Sequence, residues 1–196
     1  ELGISAKVAP ILEAVKRFIA EQVMPVESEF RAQVAVGDRW QLNERQQEIL
    51  HDLKSQSRAA GLWNFFLTDG AGGSGLNTVE YAYLAEEMGK SHLAAEAFNC
   101  SAPDTGNMEV LHKYGTEAQK KQWLEPLLNG EIRSAYAMTE PGVASSDATN
   151  IETEAVLDGD EWVINGEKHY ISGAGDPRCK ILIVMVKTDP GAPKHL

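Results

Sequence analysis

The apolar residues of this chain change period near Ser134, and that change limits the fold more than any other feature. Before it, apolar positions recur every three or four residues, the spacing of one helix face. After it, they alternate or run in short blocks bounded by Gly, Asn and Asp, as strands and turns do. The predicted class is therefore α+β. An all-helical domain covers residues 1–133, and the first strands of an antiparallel, barrel-like β domain follow over residues 134–196.

In the helical part, Val8, Ile11, Leu12, Val15, Phe18, Ile19 and Val23 form one stripe, and Pro25 ends the pattern. Asn43 opens a second helix with Gln46 in capping-box spacing, and Gly61 closes it. Asp69-Gly70-Ala71-Gly72-Gly73-Ser74-Gly75 reads as a flexible connector, because it lacks the Lys and hydroxyl of a phosphate-binding loop. Helices follow from Val79 to Met88, from near His92, and over Met108 to Tyr114 up to Gly115. Thr116 and Gln119 repeat the capping-box spacing. Pro126 predicts a kink or break in the helix they open.

In the second part, Ile151 to Ala155 alternates like a half-buried strand, and Asp158-Gly159-Asp160 makes a turn. Asn165-Gly166 predicts a hairpin between Glu161–Ile164 and a return strand over Lys168–Ser172. Ile181 to Val186 is an apolar strand with few candidate partners left in the sequence. That shortage, and a start at Glu1 rather than Met, lead to the expectation of a fragment of a longer protein.

A net charge of −11 argues against a nucleic-acid partner, which needs a basic stripe. No apolar run approaches the roughly 18 residues of a membrane span. Cys100 and Cys179 are distant and read as free thiols, and the five histidines have no metal-ligand spacing, so no metal is assigned.

Tyr136 to Asp147 combines a short strand with small residues and hydroxyls, and Lys168-His169-Tyr170-Ile171-Ser172 adds a second hydroxyl-bearing segment. Small residues let backbone approach a flat ligand, and hydroxyls serve its polar edge. These residues suggest a cofactor site.

At this point the chain resembles the acyl-CoA dehydrogenase family. Thr139-Glu140-Pro141-Gly142 with Ser145-Ser146-Asp147 is similar to the family's flavin loop. Trp162 to Lys168 with Tyr170-Ile171-Ser172 resembles its second flavin segment, and Tyr114 to Leu124 resembles the helix before its β domain. The extra residue between Pro141 and Ser146-Asp147, with Ala102 to Met108 upstream, is similar to the subgroup typified by family members 10 and 11. Those relatives are associated with long-chain and hydroxylated acyl-CoA substrates.

The resemblance implies a subunit of three parts, with residues 134–196 the start of the middle β domain and a C-terminal helical domain outside this chain. It implies FAD, an acyl-CoA substrate, an electron-transfer flavoprotein as acceptor, and a dimeric or tetrameric homo-oligomer. The implied reaction is α,β-dehydrogenation, with a carboxylate base taking the α proton and hydride passing to flavin N5.

By position in the family, Tyr136, Met138, Thr139, Gly142, Ser145, Ser146, Tyr170, Ile171 and Ser172 are the cofactor-binding candidates. Ser146 and Asp104 are the substrate-binding candidates. Tyr170 stands where the family usually has Trp. Asp104 reads either as a pocket carboxylate that recognises a substrate hydroxyl or as a helix N-cap. No catalytic residue is assigned, because the family's base belongs to the C-terminal domain and Glu140 has no such role there.

Two alternatives stay open: a monooxygenase or nitroalkane-oxidase-like flavoenzyme of the same fold, and a non-catalytic scaffold. The expected compartment is the cytoplasm for a bacterial protein and the mitochondrion or peroxisome for a eukaryotic one.

Overall fold

The computed structural model describes residues 3–34, 36, 38, 40–68 and 73–192. It separates into two compact units, Glu1–Glu131 and Ile132–Leu196.

The first unit is helical. Its elements are α1 (Val8–Phe18), α2 (Met24–Val34), α3 (Glu44–Ala59), α4 (Thr78–Met88), α5 (Ala94–Ala97), α6 (Asp104–Tyr114), α7 (Glu117–Gln119) and α8 (Glu125–Leu128). Val8, Leu12, Val15 and Phe18 of α1 are buried, as the stripe requires, and α1 packs on α4. The Phe98 ring lies 5.2 Å from that of Phe18 and 5.8 Å from that of Phe65, an aromatic centre for this core.

The capping boxes form where their spacing places them. Asn43 Oδ1 accepts from Gln46 N–H at 2.9 Å, and Gln46 Oε1 accepts from Asn43 N–H at 3.1 Å. Thr116 and Gln119 make the same exchange. Asn77 and Glu80 make a third at the start of α4, and Glu80 also accepts from the Ser5 hydroxyl at 2.6 Å. Gly61, at φ 70°, ends α3.

Pro25 does not end the first helix. A π-helical turn, Ile19–Val23, leads into α2, which runs on to Val34. Pro126 follows the same rule, with a π-turn over Lys120–Leu124 leading into α8. In each case the residue before the proline donates to the carbonyl five residues back, Met24 to Ile19 and Glu125 to Lys120. The wide turn moves the carbonyl four residues back away from the proline ring, which would otherwise break the helix. What does end near Pro25 is the buried stripe, since α2 contributes no buried residue.

The last carbonyls of α8 and those just after it are covered by side chains from elsewhere in the unit. Trp63 Nε1 and Asn64 Nδ2 donate to Leu128 O at 2.8 and 3.0 Å. Asn99 Nδ2 donates to Leu127 O at 2.9 Å, Arg58 to Asn129 O at 3.1 Å, and Lys54 to Gly130 O at 3.3 Å. A helix end needs such partners when it is buried.

The second unit contains β1 (Arg133–Ala137), β2 (Glu154–Asp158), β3 (Glu161–Asn165) and β4 (Cys179–Val184). β2 and β3 form an antiparallel hairpin around Gly159, with Glu154 opposite Asn165. The Asp158-Gly159-Asp160 turn is therefore the hairpin, and Asn165-Gly166 is not. Residues 166–171 form no strand. A Cβ on Gly166 would overlap the Thr153 side chain, so glycine serves a close crossing there rather than a two-residue turn. β1 and β4 pair in parallel, with Tyr136 opposite Ile183, so pairing among the described strands is mixed rather than wholly antiparallel. Cys100 and Cys179 form no disulfide, and burial pushes the Cys100 thiol up to about 12. No described helix is long and apolar enough to cross a membrane.

Candidate functional site

β1 delivers the first group of site residues. Ala135 and Ala137 point into the unit, while Tyr136 between them is 37% exposed, as strand alternation dictates. The chain leaves the strand at Met138 and Thr139, both half-buried, and enters the loop of Glu140 to Asp147. Gly142 and Ser146 are exposed on that loop. Ser145 is buried and committed to the loop itself: its Oγ accepts from Glu140 N–H at 2.8 Å and donates to Val143 O at 3.3 Å.

The second group comes alongside the first. His169 N–H donates to Thr139 O at 3.0 Å, so the segment of Lys168 to Ser172 runs beside the end of β1. Tyr170 is 86% exposed at φ 55°, and its ring lies 4.1 Å from the His169 ring, centre to centre. Ile171 is half-buried and Ser172 exposed. Tyr136, Thr139, Ser146, Tyr170 and Ser172 thus sit on two adjoining segments without any hairpin to join them. The Thr139, Ser146 and Ser172 hydroxyls make no hydrogen bond among the described residues.

Asp104 belongs to the helical unit. It is the first residue of α6 and is buried, while Pro103 holds the cap position with no side-chain cap bond. The N-cap reading of Asp104 therefore fails, because the turn begins one residue earlier.

Sequence reasoning missed the ion pair at the centre of the β unit. Lys168 Nζ lies 2.7 Å from Glu140 Oε1, with the two side chains 11% and 5% exposed. Lys168 Nζ also donates to Met138 O at 3.0 Å. The Glu140 carboxylate accepts further from Glu152 N–H at 2.7 Å and Thr153 N–H at 2.9 Å. Burial alone would raise the Glu140 pKa, but Lys168 and these N–H donors outweigh it and hold the acid at about 2. Glu140 is thus a fixed anion that ties three segments together. Both residues lie in segments the sequence singles out, yet no local spacing links position 140 to position 168.

Elsewhere in the unit, the Arg178 guanidinium grips Asp176 at 2.7 to 3.1 Å. Burial pushes the Asp176 carboxyl up, and Arg178 more than reverses it.

Comparison with known proteins agrees with this architecture. The family model described as "Acyl-CoA dehydrogenase, N-terminal domain" matches residues 7–131, and "Acyl-CoA dehydrogenase, middle domain" matches residues 135–195. The mouse protein "Acyl-CoA dehydrogenase family member 10" is 52% identical over 98% of this chain. A solved structure of a putative acyl-CoA dehydrogenase from Mycobacterium abscessus is 50% identical over 98% of the chain, with a TM-score of 0.89. An acyl-CoA dehydrogenase from Bacillus anthracis, solved in complex with FAD, is 26% identical over 93% of the chain, with a TM-score of 0.62. The chain spans 18% of the mouse relative, 49% of the Mycobacterium chain and 29% of the Bacillus chain.

Proposed function

This chain belongs to the acyl-CoA dehydrogenase family, and on that premise we propose that its full-length protein is an FAD-dependent acyl-CoA dehydrogenase. The observation that carries the reading is the bond from His169 N–H to Thr139 O, which sets the two flavin-type segments side by side.

The donor set fits an isoalloxazine edge. Tyr136 and Tyr170 present aromatic surface, and Thr139, Ser146 and Ser172 keep hydroxyls uncommitted. Gly142 has open space where a Cβ would stand, so backbone can approach a ligand there. In this reading Tyr136, Met138, Thr139, Gly142, Tyr170, Ile171 and Ser172 hold the ring system, Ser145 shapes the loop, and Ser146 reaches phosphate or the CoA part of the substrate. When bound, the flavin supplies the hydride acceptor for α,β-dehydrogenation of an acyl-CoA thioester. The residues of this chain orient the ring and exclude water from one side of it.

The base is not Glu140. Both of its oxygens are engaged, by Lys168, Glu152 and Thr153, and a carboxyl at about 2 is a poor proton acceptor near neutrality. In keeping with the family, the base, the electron-transfer flavoprotein acceptor and the homo-oligomeric contacts belong to the full-length protein. Asp104 remains the substrate-side candidate, as a buried acid at the start of α6.

The full-length protein is expected to purify yellow and to bleach anaerobically on addition of an acyl-CoA. A colourless protein that takes up no added FAD overturns the reading. Oxygen uptake coupled to turnover would move it to the oxidase and monooxygenase branch, and bound flavin that no acyl-CoA reduces would leave a scaffold.

A further inference from the structure

We propose that Lys168 and Glu140 are positioning residues for the flavin, their ion pair setting the spacing between Tyr136–Thr139 and Tyr170–Ser172. The proposal rests on the flavin reading above and deepens it.

Three contacts join residues 138–140 to residues 168–169. They are Lys168 Nζ to Met138 O, Lys168 Nζ to Glu140 Oε1, and His169 N–H to Thr139 O, at 3.0, 2.7 and 3.0 Å. Two of the three depend on the lysine head. A lysine stem is flexible, and its ammonium is well hydrated when free. Here it is fixed by two acceptors and nearly removed from water. A buried ion pair adds little net stability over apolar residues of the same volume, so directional geometry is its main contribution.

Tyr170 shows where that geometry is needed. Its backbone is in the left-handed region, which disfavours a bulky side chain. The residue is 86% exposed, and among the described residues its ring meets only that of its neighbour His169. Packing into the core does not hold this aromatic surface. The backbone just before it does, through Lys168 and His169. On the other segment, Glu140 follows Thr139 directly, and its own N–H is held by Ser145 Oγ. The pair therefore brackets both flavin segments at the point where they touch.

The test uses full-length apoprotein and measures FAD affinity by flavin fluorescence titration, together with the visible spectrum of the bound flavin and thermal melting without flavin. Lys168→Met is expected to weaken FAD binding by on the order of tenfold or more and to alter the bound-flavin spectrum. Lys168→Arg, which keeps the charge, should restore much of both. If wild-type protein binds no FAD, the flavin reading itself fails. If wild-type binds and Lys168→Met binds equally well with an unchanged spectrum, the positioning proposal fails while the flavin reading stands. Should Lys168→Met not fold, Glu140→Gln gives the same readouts, and unchanged FAD affinity and spectrum in that folded variant overturn the proposal. Failure of both variants to fold also overturns it, by making the pair a requirement of the fold rather than of the flavin wall.

Discussion

Asn99 donates its side-chain amide to Asn64 Oδ1 at 2.7 Å, and both residues hold left-handed backbones, with φ of 55° and 53°. Asn tolerates that region better than most residues. The same Asn99 amide reaches Leu127 O and Leu128 O at the end of α8, and Asn64 reaches Leu128 O. These two buried residues thus act as a stop for the end of α8. Asn99→Ala should cost about 2–3 kcal/mol, from lost buried hydrogen bonds and left-handed strain. Asn99→Gly keeps the backbone freedom and should cost less. Denaturant unfolding of the full-length variants checks the order, and equal losses would reject the backbone part of the argument.

Glu140 makes stability depend on pH in a defined window. Its folded pKa of about 2 lies below the ordinary carboxylate value of 4.5, so the folded state binds its proton less readily than the unfolded state. The stabilisation is therefore full above about pH 4.5 and fades as pH falls toward 2. Glu140→Gln should be clearly less stable than wild type at neutral pH, and the gap should narrow through that acid window. Melting temperatures measured from pH 7 to 2.5 test this, and a constant gap would reject it.

Gly166 is predicted to resist substitution. A methyl group there would meet the Thr153 side chain, itself buried, and the backbone φ of 156° already disfavours a Cβ. Gly166→Ala should cost about 1–3 kcal/mol through overpacking. Combining it with Thr153→Ser should recover part of the loss, which a double-mutant cycle would measure.

Thr139→Val separates the hydroxyl from the backbone at one position. The Thr139 carbonyl holds His169 N–H, while its hydroxyl is uncommitted. The variant should therefore fold with wild-type stability, shift the flavin spectrum and slow flavin reduction by an acyl-CoA by about tenfold or more, the scale of one lost preorganised donor. Wild-type flavin behaviour in a folded variant would argue against the assigned contact.

Helix starts were the most legible part of this fold. Asn43 with Gln46 and Thr116 with Gln119 act within one turn, so four residues of sequence carry the whole device. Asn77 with Glu80 carries the same signal, and a reading that starts this helix at Val79 passes over it. The β unit was less legible because its contacts are not local. Asn165-Gly166 has the composition of a hairpin turn, but the crossing of Thr153 decides its conformation. The parallel pairing of β1 with β4 leaves no short-range mark either. For the candidate site, the residue types on both segments were readable. The Lys168–Glu140 contact that ties them together was not, since it depends on two distant positions meeting.

The wide turns ahead of Pro25 and Pro126 have a further effect on how this chain is phased. Each adds one residue to the helical count, so everything downstream is rotated by about 100° relative to an uninterrupted α-helix. A helical wheel drawn in one frame through Val23 and Pro25 therefore assigns the wrong face to α2. The buried stripe stops at Val23 while the helix continues, and no residue of α2 is fully buried. Each proline thus marks a phase slip. A one-residue deletion at either turn would remove the wide turn, bring the proline ring against the carbonyl four residues back, and change which face the following segment presents.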